Sequence, residues 1–308
     1  MLADCAAAPE AAAHAGHGGS GAAGGGGEHM EGGHGTPPGG LQISQDGYLL
    51  DLKTPQVRAG RATELRFAIR DGAGHQVTAY RREHDKELHL TVASRDLGTY
   101  RHVHPTRAAD GTWSIRTALP MAGAYRLFAD FTPAIEPAKN LTLGADLAAT
   151  GTYRPAPLPA PSTVAKVDDY TVTLDGRLRA GEESELTLKV TKNGRPVTDL
   201  QPYLGAYGHL VALRSGDLAY LHVHPNGAPD DGTTKPGPEV SFTAMAPSAG
   251  AYRLFLDFRH EGKVRTAAFT VHAGCAAATT AGDDRGAGDG PGTATNRRRA
   301  RHGHDSLG

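Results

Sequence analysis

The chain repeats itself, and no other feature constrains its fold as strongly. The segment from Val77 to Pro105 aligns without a gap on Val197 to Pro225, both ends displaced by 120 positions. The alignment sets His89, Tyr100, His102 and His104 on His209, Tyr220, His222 and His224. Arg58-Ala59-Gly60 precedes the first block as Arg179-Ala180-Gly181 precedes the second, and residues 122–128 (AGAYRLF) are identical to residues 249–255. So many anchors at matching places identify a duplicated domain.

Each copy reads as β-structure. Leu65, Phe67 and Ile69 alternate with polar residues, as do Leu186, Leu188 and Val190, which is the period of a half-buried strand. In the second copy strands are predicted at Tyr170 to Leu174, Glu185 to Val190, His209 to Leu213, Tyr220 to His224, Val240 to Ala244, Tyr252 to Phe258 and Lys263 to Val271. Seven short strands in about 100 residues predict an all-β chain of two tandem immunoglobulin-like sandwiches. The Gly-Ala-Tyr steps at Tyr125 and Tyr252 match the tyrosine near the start of strand F in such domains. Trp113 and Phe242 are expected in the cores.

Composition sets the boundaries. Residues 1–40 are mostly Ala and Gly, punctuated by His14, His17, His29, Met30 and His34, and cannot bury enough apolar surface to offset chain entropy. Residues 274–308 have the same character, and both tails are expected to be disordered. The alternate prolines between Arg154 and Pro161 favour an extended spacer. The expected order is a tail (1–40), a sandwich (41–150), a Pro-rich linker (151–165), a second sandwich (166–273) and a tail (274–308).

The histidines carry the functional signal. If Gly216-Asp217 forms a two-residue hairpin turn, cross-strand partners sum to 433, and His209 stands opposite His224 with His222 diagonal on the same face. The first copy repeats this with a sum of 193, bringing His89, His102 and His104 together around Asp96-Leu97. Imidazoles on opposed strands are close enough to share an ion, and imidazole without thiolate suits Cu(II) first and Zn(II) or Ni(II) next. One ion is expected in each copy. Val211 and Leu213 share the face of the second-copy histidines, so a buried, purely structural role stands beside the metal reading. His84 and Lys86 flank the first site but become Leu204 and Ala206 in the second, so His84 could be a ligand in the first copy only. Asp130 and Asp257 could orient an imidazole, although pairing with Arg126 and Arg253 is the stronger expectation.

Other classes are excluded or weakened. Thirty-two basic residues against 33 acidic ones, a net charge of -1, give no ground for a nucleic-acid or anionic-membrane partner, and Arg297, Arg298, Arg299 and Arg301 read as a solvated tail. Cys5 and Cys275 lie in the flanks and supply no disulfide framework. No nucleophile elbow, phosphate loop or His-Glu-x-x-His helix is present, so no enzyme is expected. No leader or membrane span is visible. Repeated sandwiches behind an Ala/Gly/His stalk are nevertheless usual outside the cytoplasm, a location that a start codon placed too late would reconcile with the missing leader. Leu2-Ala3-Asp4-Cys5 is at most a faint lipoprotein site.

The segments HLTVASRDLGTYRHVHP and HLVALRSGDLAYLHVHP, each followed by AGAYRLF and an Asp-Phe pair, resemble the YtkA-like group of extracytoplasmic β-sandwich domains over about residues 41–273. The resemblance implies a bacterial secreted or membrane-anchored protein linked with copper and other heavy metals. The expected function is extracytoplasmic binding, sequestration or delivery of a transition metal, copper first. The alternative is a non-metal structural module that binds a membrane or secreted protein partner.

Overall fold

The computed structural model describes residues 37–274 except His222, and the backbone alone of His224. The histidines of the N-terminal tail, both cysteines and the arginine cluster lie outside the described residues.

The first copy comprises β1 (Ser44–Gln45), β2 (Tyr48–Leu52), β3 (Gln56–Arg58), β4 (Thr63–Arg70), β5 (Tyr80–Arg81), β6 (Leu88–Ser94), β7 (Tyr100–Val103), β8 (Thr106–Arg107), β9 (Trp113–Thr117), β10 (Gly123–Pro133) and β11 (Leu141–Thr150). The second comprises β12 (Val164–Val167), β13 (Tyr170–Asp175), β14 (Glu183–Lys192), β15 (Arg195–Pro196), β16 (His209–Arg214), β17 (Tyr220–Leu221), β18 (Val223–Pro225), β19 (Glu239–Met245), β20 (Gly250–His260) and β21 (Lys263–Ala273). No helix occurs among the described residues.

Each copy stacks two sheets. In the first they run β1-β2-β4-β9-β8 and β3-β11-β10-β6-β7; in the second, β12-β13-β14-β19-β18 and β17-β16-β20-β21. Alternation on facing strands gives each sandwich its own core, with Phe67, Trp113 and Leu127 in the first and Phe242, Leu254 and Phe269 in the second. Tyr125 Oη donates to the Met121 carbonyl and Tyr252 Oη to the Ser248 carbonyl, each at 2.8 Å. Both are tyrosine corners, which together with the sheet order make these immunoglobulin-like sandwiches.

A third apolar cluster lies between the copies. Ala93, Leu97, Tyr100 and Phe128 of the first pack with Val211, Leu213, Leu218 and Phe255 of the second. Tyr100 stacks on Phe255 with centroids 4.1 Å apart and planes 6° off parallel, while Tyr220 meets Phe128 at 5.5 Å. Phe128 and Phe255 are equivalent in the repeat, as are Tyr100 and Tyr220. The contact is therefore reciprocal, the signature of two-fold packing carried out within one chain. The face that holds the histidines is this seam.

Three local expectations need correction. The tail expected through residue 40 ends earlier: Gly39 bridges to Tyr220, and Gly40 donates to the Thr142 carbonyl at 2.8 Å. Gly40 has φ 74°, and a Cβ there would lie 2.4 Å from the Phe128 ring, so only glycine fits. The expected linker is partly structured, since β12 begins at Val164 and Leu158 packs against the seam. The 216–217 hairpin is a longer turn, in which Leu218 donates to the Arg214 carbonyl and Arg214 to the Ala219 carbonyl. Leu218 sits at φ 63° and is fully buried in the seam, as Leu97 is at φ 58°. Apolar burial holds these turns in a backbone region leucine rarely adopts.

Candidate metal centre at the seam

The hairpin registers come out as expected. Leu90 pairs with Val103 and Thr91 with His102, a sum of 193, and Ala212 pairs with Leu221, a sum of 433. In the first copy this register brings three imidazoles together, with ring centroids 5.4 Å apart for His89 and His102, 5.2 Å for His89 and His104, and 4.9 Å for His102 and His104. One ring nitrogen of each lies within 4.8 Å of the others.

The second copy departs from expectation. Its strand leaves β16 after Leu221 and crosses to the opposite sheet, where His224 pairs with Thr243 instead of His209. The crossing covers the edge of β19, whose peptide groups would otherwise lack partners, and it suits Pro225, which has no N–H for a ladder. The side chains of His222 and His224 lie outside the described residues, so the three-histidine constellation expected there has no geometry to report. His209 instead faces the first copy's cluster, its ring 6.3 Å from His89 and 6.2 Å from His102.

The hydrogen bonds fix where the ring protons sit. His89 Nε2 lies 3.0 Å from the Glu83 carbonyl, which only accepts, so that nitrogen carries the proton and Nδ1 a lone pair. His102 Nδ1 lies 3.0 Å from Asp257 Oδ2, which likewise claims its N–H, with side-chain exposures of 6% and 4%. The two remaining nitrogens, His89 Nδ1 and His102 Nε2, face each other at 3.2 Å. Two lone pairs at that distance repel unless a cation stands between them. A proton could serve, but it would leave His104 Nε2, which is buried with no hydrogen-bond partner among the described residues. An ion bound at about 2 Å by each ring would satisfy all three, and ligands on a tetrahedral ion lie about 3.3 Å apart.

Burial favours the neutral form of His89, His104 and His209. Desolvation is the first cause of each shift and lowers His89 to about 4, with the Glu83 carbonyl opposing and His102 reinforcing it. His104 falls to about 3 through burial and then through His102 and His89. His209 also falls to about 3 through burial, then through His102 and His84. Tyr203, beside the cluster, is pushed up to about 12 by burial and by Asp257.

Asp257 is the residue of the candidate site that the sequence pattern signalled least clearly. It sits opposite His209 in its own sheet but reaches His102 of the other copy, and Thr266 Oγ1 donates to its second oxygen at 2.5 Å. The expected arginine pairs are not formed: Arg126 binds Asp146 and the Gly40 and Leu41 carbonyls, and Arg253 binds Thr270. Asp130 accepts from Asn140 Nδ2 at 2.8 Å. The signal was the Asp-Phe pair repeated in register with the histidines, but its partner lies in the other copy.

Fold and site together define a tandem immunoglobulin-like protein with a buried histidine cluster at the seam of its two domains. The chain belongs to the family described as domain of unknown function DUF8832, whose model matches residues 43–143 and again 165–274. No curated protein matches it. Among solved structures it is similar to FdeC, a broadly conserved Escherichia coli adhesin, at 17% identity and a TM-score of 0.23 over 76% of this chain and 65% of that one. Invasin, a bacterial integrin-binding protein, matches at 12% identity and a TM-score of 0.23 over 76% and 41%. InvD of Yersinia pseudotuberculosis matches at 15% identity and a TM-score of 0.24 over 78% and 61%. The chain thus spans less than two thirds of each of these structures. At such TM-scores the fold assignment rests on the sheet order and the tyrosine corners.

Proposed function

We infer that this protein binds one transition-metal ion through His89, His102 and His104 and carries no catalytic activity of its own. The observation behind this reading is the pair of facing ring nitrogens at 3.2 Å, each with its proton committed elsewhere, beside the unpartnered His104 Nε2. An all-imidazole ligand set favours Cu(II), with Zn(II) as the alternative. Binding rather than turnover fits an enclosed site, since the His102 side chain is only 6% exposed. The resemblance to YtkA-like domains supports a place outside the cytoplasm and a role in holding or delivering copper.

Copper titration of the full chain, followed by electron paramagnetic resonance, tests this. We expect one nitrogen-rich Cu(II) signal that disappears in the His102→Ala, His104→Ala double variant, leaving only weaker sites common to both proteins. If the two proteins bind copper alike, the cluster is structural and the protein-interaction module becomes the better reading.

A further inference from the structure

His84 breaks the symmetry of the seam. Its equivalent in the second copy is Leu204, and the two turns share a backbone, with φ 48° at His84 and 55° at Leu204, followed by 65° at Asp85 and 70° at Gly205. Leucine therefore serves this turn as well as histidine does, and the imidazole is not required by the local fold. The two turns meet, since a Cβ on Gly205 would lie 3.9 Å from His84 Cα.

The imidazoles at this end of the seam differ in exposure, His209 being buried where His84 is not. His84 is exposed, and its ring stands edge-on to His209 with centroids 5.1 Å apart. His209 spends its Nε2 proton on the Tyr203 and Leu204 carbonyls, at 2.9 and 3.1 Å, which leaves Nδ1 a lone pair. The pocket that opens here is lined by His84, His209, His89 and His102, so it joins the exposed imidazole to two rings of the cluster. A divalent ion that sheds its hydration shell in a partly buried space does so at a heavy cost unless protein ligands replace the water, so an ion crossing this seam must keep ligands at every step.

The geometry points to His84 and His209, one from each copy, as an outer two-imidazole seat that takes a transition-metal ion from solvent and hands it to His89, His102 and His104. This rests on the metal reading of the inner cluster. The hand-over is ligand exchange with no change of oxidation state: nitrogen–metal bonds to the outer pair break as bonds to the inner three form. Three ligands outcompete two, so transfer runs inward.

The test is His84→Leu in the full chain, a replacement whose backbone Leu204 already shows to be tolerated. Co(II) is the probe, because its absorption in a tetrahedral nitrogen site reports the inner cluster directly. In stopped-flow mixing we expect association, and release to a chelator, to slow together by about tenfold, the effect of roughly 1.4 kcal/mol on the barrier. Unchanged rates would overturn the proposal and mean that ions enter by opening of the seam. Weaker binding with unaltered association would also overturn it, making His84 a permanent ligand. Should the native chain give no inner-site Co(II) spectrum at all, the metal reading itself falls, an outcome separate from either of these.

Discussion

A neutral imidazole has one proton to place, and His102 places it toward Asp257, 3.0 Å away in the other domain. The carboxylate thereby fixes which nitrogen faces His89 and His104 and makes it a better donor. Asp257→Ala should weaken metal binding about 10- to 100-fold, the usual effect of losing such a partner. Asp257→Asn, whose amide oxygen still accepts, should fall between; equal losses in both would show that only the charge matters. The same rings set a pH dependence. His89, His104 and His209 have folded-state values of about 4, 3 and 3, below the unfolded value near 6.5, so the unfolded chain takes up protons that the folded chain refuses. Metal-free stability should hold above pH 6.5 and fall as pH drops from there toward 4. The loss is up to about 1.4 kcal/mol per ring and pH unit, less where solvent reaches the ring. Urea melts at pH 7 and pH 5 would show it, and a His104→Leu variant should lose part of the difference.

At the scale of elements, the sequence made the hairpin registers legible because pairing sums depend only on where a turn is centred. Both sums, 193 and 433, hold although neither turn is a two-residue one. What local pattern could not show is that Leu97 and Leu218 would be drawn inward, because the burial that stabilises their left-handed backbone comes from the other copy. Nor could it show that the strand expected from Tyr220 to His224 would split between two sheets, since that depends on which edge lies uncovered. The leucines can be tested directly. Leu218→Ala empties a fully buried position, and large-to-small changes of this kind cost about 3 kcal/mol. The urea midpoint should drop with an unchanged slope. Leu97→Ala should behave alike, because the seam is reciprocal.

For the whole molecule, the duplication was legible while the docking of the copies was not. Val211 and Leu213 signalled a buried histidine face, but a single copy's pattern cannot say whether its own sandwich or a neighbour covers that face. The answer couples folding to the proposed function. The three proposed metal ligands belong to the first copy and the carboxylate bonded to one of them to the second, so metal should favour the docked arrangement by the same free energy that docking lends to metal binding. Phe255→Ala removes the ring stacked on Tyr100 and should loosen the seam while leaving both sandwich cores intact, turning a single calorimetric transition into two. Copper or zinc at a hundredfold excess over its dissociation constant adds about 2.7 kcal/mol to the state that binds it. Added to Phe255→Ala, the metal should draw the two transitions back together; added to a Phe255→Ala, Asp257→Ala double variant, it should raise the first sandwich alone. If the metal shifts both variants identically, Asp257 transmits nothing across the seam, and the second copy only shelters the site.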